Sequence, residues 1–294
     1  MPDFVKRYYE IQSPKLQGKA ALKIALLADL HGAVYGHRQD RLLQAIEAED
    51  CDLVLAAGDM ILRIRENSFT AAKDLLIPLS KQVPVCYGLG NHEEVFLYDD
   101  QPGGEAEAFS VLQHSVYRRK RLPPKEHHLI EDYRTFESAL EEAGVILLKN
   151  QRVRKSFHSV MVDICGLRVP YSCYHKPFPF GLHASDIELL CGSANQEAFQ
   201  ILIAHSPYFA PAYFTWQADL TVSGHYHGGI LRLGKRRGLV SPYLHPFPSY
   251  CVGDFHRGDS HLVVSAGLGE HTLPVRLFNP HELVFITVKN PEEA

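Results

Sequence analysis

Apolar runs of strand length alternate with amphipathic segments of helix length through the first ninety residues. The runs Lys23–Asp29, Asp52–Ala57 and Pro84–Gly88 are nearly continuously apolar, which is typical of strands buried on both faces. Between them, Arg38–Glu49 and Ser68–Gln82 carry apolar residues at helical spacing. The order is βαβαβ, and because such crossovers are right-handed it predicts a parallel sheet covered by helices.

The remainder of the chain continues this α/β pattern. The predicted elements are a helix at Leu129–Ala143 and strands at Val145–Leu148, Ser159–Arg168, Phe199–Ala204, Leu220–Ser223, Leu262–Ala266, Pro274–Leu277 and Leu283–Lys289. Tyr171–Leu182 and Ser241–Tyr250 are aromatic and proline-rich loops, which could line a site or be ordered surface. Neither a repeat nor a linker interrupts the sequence, so we expect one domain over residues 1–294 with a polar insertion at about 94–129.

Composition narrows the class of protein. A content of 46% hydrophobic and 22% charged residues is enough for a sizeable core, and the net charge of −4 predicts no nucleic-acid partner. No apolar run approaches the roughly 20 residues of a transmembrane helix, and the polar opening segment lacks the apolar centre of a signal peptide. We therefore expect a cytoplasmic protein, with peripheral membrane contact left open. The six cysteines form no CxxC pair and are expected to be free thiols.

Polar residues follow the predicted strands at the point where each strand ends. They are Asp29, His31, Asp59, Asn91, His92, His205, His225 and His227. Loops at the carboxyl ends of parallel strands converge, so these side chains can meet. Carboxylate, imidazole and amide ligands suit Mn, Fe or Zn. Within each of the two pairs, Asp29 with His31 and His225 with His227, an extended backbone would point both side chains to one side.

The same residues carry a family resemblance. DLH at 29–31, GD at 58–59, GNHE at 90–93, His205 and GHYH at 224–227 resemble the motifs of calcineurin-like metallophosphoesterases. The resemblance implies a sandwich of two mixed β-sheets flanked by helices. It also implies two divalent metal ions, one held by Asp29, His31, Asp59 and His227, the other by Asp59, Asn91, His205 and His225. Asp59 would then bridge the two ions.

Such a centre predicts a phosphoester hydrolase. Two adjacent ions would generate a bridging hydroxide for attack on phosphorus and would stabilise the phosphoryl charge. His92, beside a ligand but not itself one, is the candidate general acid for the leaving oxygen. Glu93 could hold the His92 imidazole in the required tautomer, or it could be a solvated loop carboxylate.

The substrate is less constrained by the sequence. GHYHGG at 224–229, SAGLG at 265–269 and PVRLFNPHELVFITV at 274–288 resemble a bacterial branch of membrane-associated phosphodiesterases and UDP-2,3-diacylglucosamine pyrophosphatases. A phosphodiester or pyrophosphate substrate is therefore expected, possible examples being nucleotide-sugar and lipid-linked compounds. The alternatives are a phosphomonoesterase or protein phosphatase, and a non-catalytic scaffold. His175, His245 and His256 are weak candidates for substrate contact, and the basic run 118–121 could meet a second phosphate or anionic lipid, or be solvated surface.

Overall fold

A computed structural model describes residues 3–16, 21–62, 67–97, 126, 128–177, 179–229, 231–234, 236–270 and 276–291. The strands of this part of the chain are β1 (Phe4–Gln12), β2 (Leu22–Leu27), β3 (Leu53–Ala57), β4 (Val85–Gly88), β5 (Ile146–Leu148), β6 (Arg152–Phe157), β7 (Val160–Leu167), β8 (Phe199–Ala204), β9 (Leu220–Ser223), β10 (Arg232–Leu233), β11 (Arg237–Gly238), β12 (Gly253–Arg257), β13 (Ser260–Val264) and β14 (His281–Lys289). Its α-helices are α1 (Asp40–Glu47), α2 (Asn67–Ser80), α3 (Asn91–Leu97), α4 (His128–Glu142), α5 (Ala184–Cys191) and α6 (Ala210–Trp216).

Two six-stranded mixed sheets form the centre of the fold. The first has the order β1-β14-β2-β3-β4-β5, and β2 to β5 are parallel, as the βαβαβ pattern predicts. The second has the order β12-β13-β9-β8-β7-β6, with β13, β9, β8 and β7 parallel and the two edge strands antiparallel to their neighbours. The expected sandwich of two mixed sheets flanked by helices is confirmed.

One hydrophobic core lies between the two sheets. Ile24 and Leu26 of β2 belong to the same buried cluster as Ile201 and Ile203 of β8, in the second sheet. Ala25 and Leu27, which alternate with them along β2, pack on the other face among residues of α1, α2 and α4. Burial on both faces explains why the central strands are continuously apolar in the sequence.

The opening segment and the GNHE motif differ from the sequence prediction. The polar opening forms the edge strand β1, which pairs with β14 and is partly or fully exposed at eight of its nine residues, so it carries no continuous apolar signal. GNHE was expected in a loop followed by an insertion from Glu94, whereas α3 begins at Asn91 and continues to Leu97. Glu94 is buried, and both of its carboxylate oxygens accept hydrogen bonds from Nε of Arg168 at 3.0 and 2.8 Å.

Further predictions concern the insertion, the thiols and membrane crossing. The basic run 118–121 lies outside the described residues. All six cysteines are free thiols, as expected, and five of them are buried. No helix in the described ranges is long and apolar enough to cross a bilayer.

Candidate metal centre

The predicted ligands meet where the carboxyl ends of the two sheets face each other. Asp29 and His31 follow β2, Asp59 follows β3, and Asn91 opens α3 directly after β4. His205 follows β8 in the second sheet, and His225 and His227 follow β9. The first sheet thus supplies four of the seven residues and the second sheet three. The carboxylates and imidazoles among them are all buried.

Three groups of side chains bring their ligand atoms within 4.8 Å of one another. The groups are Asp29 with His31 and His227, His31 with Asp59 and His92, and Asp59 with His205 and His225. Asp59 belongs to two groups because its Oδ2 lies near an imidazole of each: it is 3.1 Å from Nε2 of His205 and 3.9 Å from Nε2 of His31. The first group contains three of the four residues of one ligand set implied by the resemblance, and the third group contains three of the four residues of the other.

The backbone at these residues is left-handed, not extended. Positive φ angles occur at Asp29 (50°), His31 (48°), Asp59 (52°), His225 (65°) and His227 (48°). The side chains therefore converge because the backbone forms tight turns. The prediction that an extended backbone points both side chains of each pair to one side is wrong. Non-glycine residues pay a conformational cost in this region, and such strain is concentrated at functional sites.

Glycines let the ligand loops approach one another. A Cβ added at Gly58, whose φ is +84°, would lie 2.6 Å from the backbone nitrogen of Gly90 and 2.7 Å from Nδ1 of His205. Only hydrogen fits there. The loops are joined further by hydrogen bonds from Asp29 N to Gly58 O (3.0 Å) and from His31 N to Asp59 O (3.1 Å).

Hydrogen bonds orient several of the ligand side chains. Nδ1 of His205 donates to the carbonyl of Ala57 at 2.7 Å, which leaves Nε2 directed to the centre. The carboxylate of Asp29 accepts the backbone N–H of His225 at 2.9 and 3.1 Å. Oδ1 of Asn91 is buried and accepts no hydrogen bond from the described residues. A buried amide oxygen without a donor fits a cation, so this set of ligands is suited to divalent metal.

The charges of the centre are strongly coupled. Burial raises the pKa of Asp29 to about 7, against the opposing charge of His205. Burial alone would raise the pKa of Asp59, but the neighbouring charges of His205 and His92 hold it well below its usual value. Burial also disfavours charged His205, yet the nearby Asp59 carboxylate raises its pKa to about 9. In the metal-free protein at neutral pH, we therefore expect protonated His205 beside the ionised carboxylate of Asp59.

Glu93 is buried, not solvated, and acts on the ligand loops. Its Oε2 accepts hydrogen bonds from the backbone N–H groups of Asp59 and Gly90, both at 2.9 Å. Its Oε1 accepts from Ile61 N at 3.2 Å and from the hydroxyl of Tyr87 at 2.5 Å. Four donors occupy both oxygens, so these contacts do not support the prediction that Glu93 orients His92. Through these contacts, Glu93 instead holds the backbone of the loop that carries Asp59.

His92 lies beside the ligands at the edge of the centre. Its backbone N–H donates to Oδ1 of Asp59 at 2.8 Å, and its ring lies 4.9 Å from that of His31 in an edge-on arrangement. The side chain is half-buried. This position is compatible with the predicted general acid.

The three weak candidates lie at different places. His245 is half-buried, and its ring is 6.4 Å from that of Tyr243, which in turn is 5.2 Å from the ring of the ligand His225. His175 is exposed. His256 is exposed on β12, where its ring contacts that of His261 on β13 at 5.7 Å. Of the three, only His245 reaches the aromatic residues around the centre, and substrate contact stays a prediction for all.

Sequence reasoning did not single out Arg276. Its Nη2 lies 3.1 Å from Nδ1 of His227 and donates to the carbonyl of Gly269 at 2.5 Å. Asn279 was also missed, and its Nδ2 donates to the carbonyl of His227 at 2.5 Å. Both residues belong to the segment 274–288 whose sequence resembles the bacterial branch. A single arginine or asparagine there has no diagnostic spacing, so the fold is needed to reveal these contacts.

The fold and the centre define a calcineurin-like phosphoesterase. The family profile for calcineurin-like phosphoesterases matches residues 22–229, and the chain belongs to this family. Within the described part of the chain, the centre supplies candidate ligands for divalent metal.

Relatives with related names support this assignment. An uncharacterised metallophosphoesterase of Helicobacter pylori is 24% identical over 93% of this chain and 61% of its own length. The phosphodiesterase YaeI of Escherichia coli is 26% identical over 85% of this chain and 76% of its own. An uncharacterised metallophosphoesterase of Campylobacter jejuni is 26% identical over 95% of this chain and 62% of its own. The chain thus spans about three fifths of the length of two of these relatives.

Proposed function

We propose that this chain hydrolyses a phosphodiester or pyrophosphate bond at a centre of two divalent metal ions. The observation that supports this proposal is that candidate ligands from both sheets lie close together. Asp59 is shared between two of the groups of ligand atoms. Asp29, His31, Asp59 and His227 would hold one ion, and Asp59, Asn91, His205 and His225 the other. Ions held there would supply a nucleophile at neutral pH and would neutralise charge on the phosphoryl oxygens.

The protein's own groups complete the reaction. His92 stands beside the centre without belonging to the proposed ligand sets, so its imidazolium can give a proton to the leaving oxygen. Glu93 and Tyr87 fix the backbone that positions Asp59. Because the ligand loops are tied together by backbone hydrogen bonds, the reacting phosphoryl group would meet a preorganised set of charges.

A relative favours a diester over a monoester. YaeI, which matches over 76% of its own length, is named a phosphodiesterase. The resemblance of segment 265–288 to the bacterial branch extends this choice to pyrophosphates of nucleotide-sugar and lipid-linked type. The same proposal includes the metal, which would be Mn, Fe or Zn.

The test compares bis-p-nitrophenyl phosphate with p-nitrophenyl phosphate. The protein is stripped with a chelator and reloaded with Mn²⁺, Fe²⁺ or Zn²⁺, and both the bound metal and the rates are measured. We expect metal-dependent turnover with preference for the diester. Asp59→Asn should lose both metal and activity, because it weakens the carboxylate shared by two groups.

Asp52→Asn is the matched control. Asp52 precedes β3 and Asp59 follows it, so the two carboxyl groups lie about 20 Å apart at opposite ends of one strand. Asp52→Asn should keep metal and rate. Preference for the monoester would favour a phosphatase, whereas bound metal without turnover of diesters, pyrophosphates or monoesters would favour a scaffold. Full metal and full rate in Asp59→Asn would contradict the assignment of Asp59.

A further inference from the structure

Four exposed apolar side chains belong to two short segments in the C-terminal part of the chain. Leu244 and Phe247 are 66% and 64% exposed in one segment, and Leu277 and Phe278 are 52% and 86% exposed in the other. Only four other large apolar side chains are exposed among the described residues. A single exposed apolar side chain is ordinary, but several of them at one place mark an interaction surface.

Backbone pairing brings the two segments together. The carbonyl of Leu231 accepts the N–H of Leu239, and the carbonyl of Leu239 accepts that of Phe247, both at 2.8 Å. On its other side, Leu231 pairs with Leu277 in a parallel bridge. Leu277, Leu231, Leu239 and Phe247 therefore form one row across four adjacent backbone segments. Because residues opposite one another on paired strands point to the same face, their side chains share a face.

This face points outward. Arg232 and Gly238, which alternate with the row along β10 and β11, are buried, whereas Leu231 and Leu239 are partly exposed. A Cβ added at Gly238 would lie 2.5 Å from Sγ of Cys251, so the inner face packs closely against the protein. We call the outer face, with Leu244 and Phe278 beside it, the ribbon surface.

The ribbon surface is also basic. Residues 228–250 include four basic residues and no acidic one, in a chain whose net charge is −4. Arg237 is exposed and stands two positions before Leu239, so strand alternation places it on the same face as the row. Arg236, in the preceding turn, is exposed too, and its guanidinium carbon lies 5.7 Å from the ring centre of Phe255. Apolar side chains beside exposed arginines match a negatively charged lipid surface.

The acidic groups beside Phe278 are paired with cations. Asp3 and Glu270 line a surface cavity together with Phe278. Oδ1 of Asp3 lies 2.8 Å from Nη2 of Arg41, and Oε1 of Glu270 lies 3.0 Å from Nε2 of His281. The positive charge of the ribbon surface is therefore not matched by these carboxylates.

The exposed side chains are held outward by a costly backbone. The φ angles of Leu244, Phe247 and Phe278 are +63°, +49° and +55°. Non-glycine residues rarely adopt this left-handed region, and they persist there only where surrounding contacts impose it. Core packing does not account for such a cost at side chains that face solvent.

The ribbon surface is joined to the metal centre from its inner side. Nδ2 of Asn279 donates to the carbonyls of His227 and Gly229 at 2.5 and 2.8 Å, which fixes the segment that carries Phe278. The ring of Tyr243, next to Leu244 in sequence, lies 5.2 Å from that of His225. A partner bound to the ribbon surface would therefore lie at a fixed place relative to the centre.

We propose that the ribbon surface docks on the surface of an anionic lipid bilayer. Its apolar side chains would enter the boundary between headgroups and acyl chains, and Arg236 and Arg237 would meet lipid phosphates. A second copy of the chain is a poorer occupant, because a symmetric contact would bring the arginines of both copies together. The inference goes beyond the proposed function and does not depend on it.

The test measures cosedimentation of metal-loaded protein, freed of unbound metal, with lipid vesicles. One vesicle is phosphatidylcholine alone, and the other is equal parts phosphatidylcholine and phosphatidylglycerol. We expect binding to the anionic vesicle that weakens as salt increases, and little binding to the neutral one.

Two double variants separate the apolar and the charged contributions. Phe247→Asn with Phe278→Asn should weaken binding to anionic vesicles by about 10-fold or more, because it removes both rings. Asparagine tolerates left-handed backbone, so this variant should fold. Arg236→Gln with Arg237→Gln should weaken binding by about 10-fold and reduce its salt dependence.

Matched controls lie outside the ribbon surface. Leu189 on α5 is 59% exposed, and the side chain of Arg38 is exposed beside Asp74. Leu189→Gln and Arg38→Gln should bind vesicles as the wild type does. If circular dichroism shows that the asparagine variant does not fold, the arginine variant decides, since it alters only exposed side chains.

Three results would overturn the proposal. They are equal or absent binding to the two vesicles, wild-type binding in the ribbon variants, and a wild-type dimer that the ribbon variants convert to a monomer in light scattering. The last result would identify a second copy as the occupant. Vesicle binding without any phosphoester hydrolysis would contradict the proposed function and leave the docking surface supported.

Discussion

His92 is the side chain on which we expect turnover, but not metal binding, to depend. His92→Ala should slow hydrolysis of diesters with poor leaving groups by about 100-fold or more, because those leaving oxygens need a proton, and should affect p-nitrophenyl esters less. Metal content should stay unchanged. The check is to measure the rates for a series of diesters whose leaving groups differ in pKa.

His158→Ala serves as the control, since His158 is 47% exposed and pairs with Asp52 on the surface. It should follow the wild-type rates throughout. Equal losses for good and poor leaving groups in His92→Ala would argue against proton donation by His92.

A proton competes with metal at His205. The pKa of His205 is raised to about 9 in the metal-free protein, so at pH 7 its imidazole is protonated and must release that proton to become a ligand. Metal affinity should therefore rise as pH increases from 6 to 9 and level off above. Calorimetry at pH 7 in buffers of different ionisation enthalpy should show at least one proton released per protein, whereas no buffer dependence would contradict this account.

At the residue scale, the sequence predicted the identity of the ligands better than the reason they converge. Residue types and their positions after strands pointed to Asp29, Asp59 and His205. The left-handed backbone was not predictable, because non-glycine residues rarely adopt it and loop contacts impose it here. The contacts of Glu93 and Arg276 join residues far apart in sequence, and no local pattern records such contacts.

The loops between elements depend on glycine for close approach. Gly58→Ala should destabilise the protein by about 3 kcal/mol or more, because the new methyl group meets the β4 loop and His205 in addition to the cost of positive φ. Metal affinity should fall with it. Denaturant unfolding and metal titration measure the two effects.

Gly144→Ala separates backbone strain from steric contact. Gly144 also has positive φ, +96°, but nothing lies within 4 Å of an added Cβ. It should cost only about 1 kcal/mol and leave metal affinity unchanged. Similar losses for the two variants would mean that strain alone, and not loop contact, explains Gly58.

At the scale of elements, the sequence predicted strands correctly where both faces of the strand are buried. Strands β8 and β9 have the predicted bounds, and β3 differs by one residue, because both faces are covered. Edge strands β1 and β6 were missed, since their exposed faces carry charged residues. Helix α6 was also missed, because it is only seven residues long and has proline near its start, so its apolar periodicity is too short to recognise.

For the whole molecule, the candidate centre connects the two sheets. Metal binding should therefore stabilise the folded state against global unfolding, by about 2.7 kcal/mol when free metal exceeds Kd 100-fold. We expect Tm to rise by about 4–5 °C on reloading, and much less in Asp59→Asn. A thermal melt with and without chelator tests this, and an undiminished shift in Asp59→Asn would contradict a connection through Asp59.

The position of β14 has a consequence for biosynthesis. This strand lies between β1 and β2 and is the only strand with which β1 pairs among the described elements. A ribosome makes β1 first, but its partner follows only after residue 280 has been made. Until then, the backbone edges of β1 and β2 are open to pairing with other chains. Completion of the first sheet is therefore a late event in synthesis, and nascent chains need protection from aggregation until it occurs.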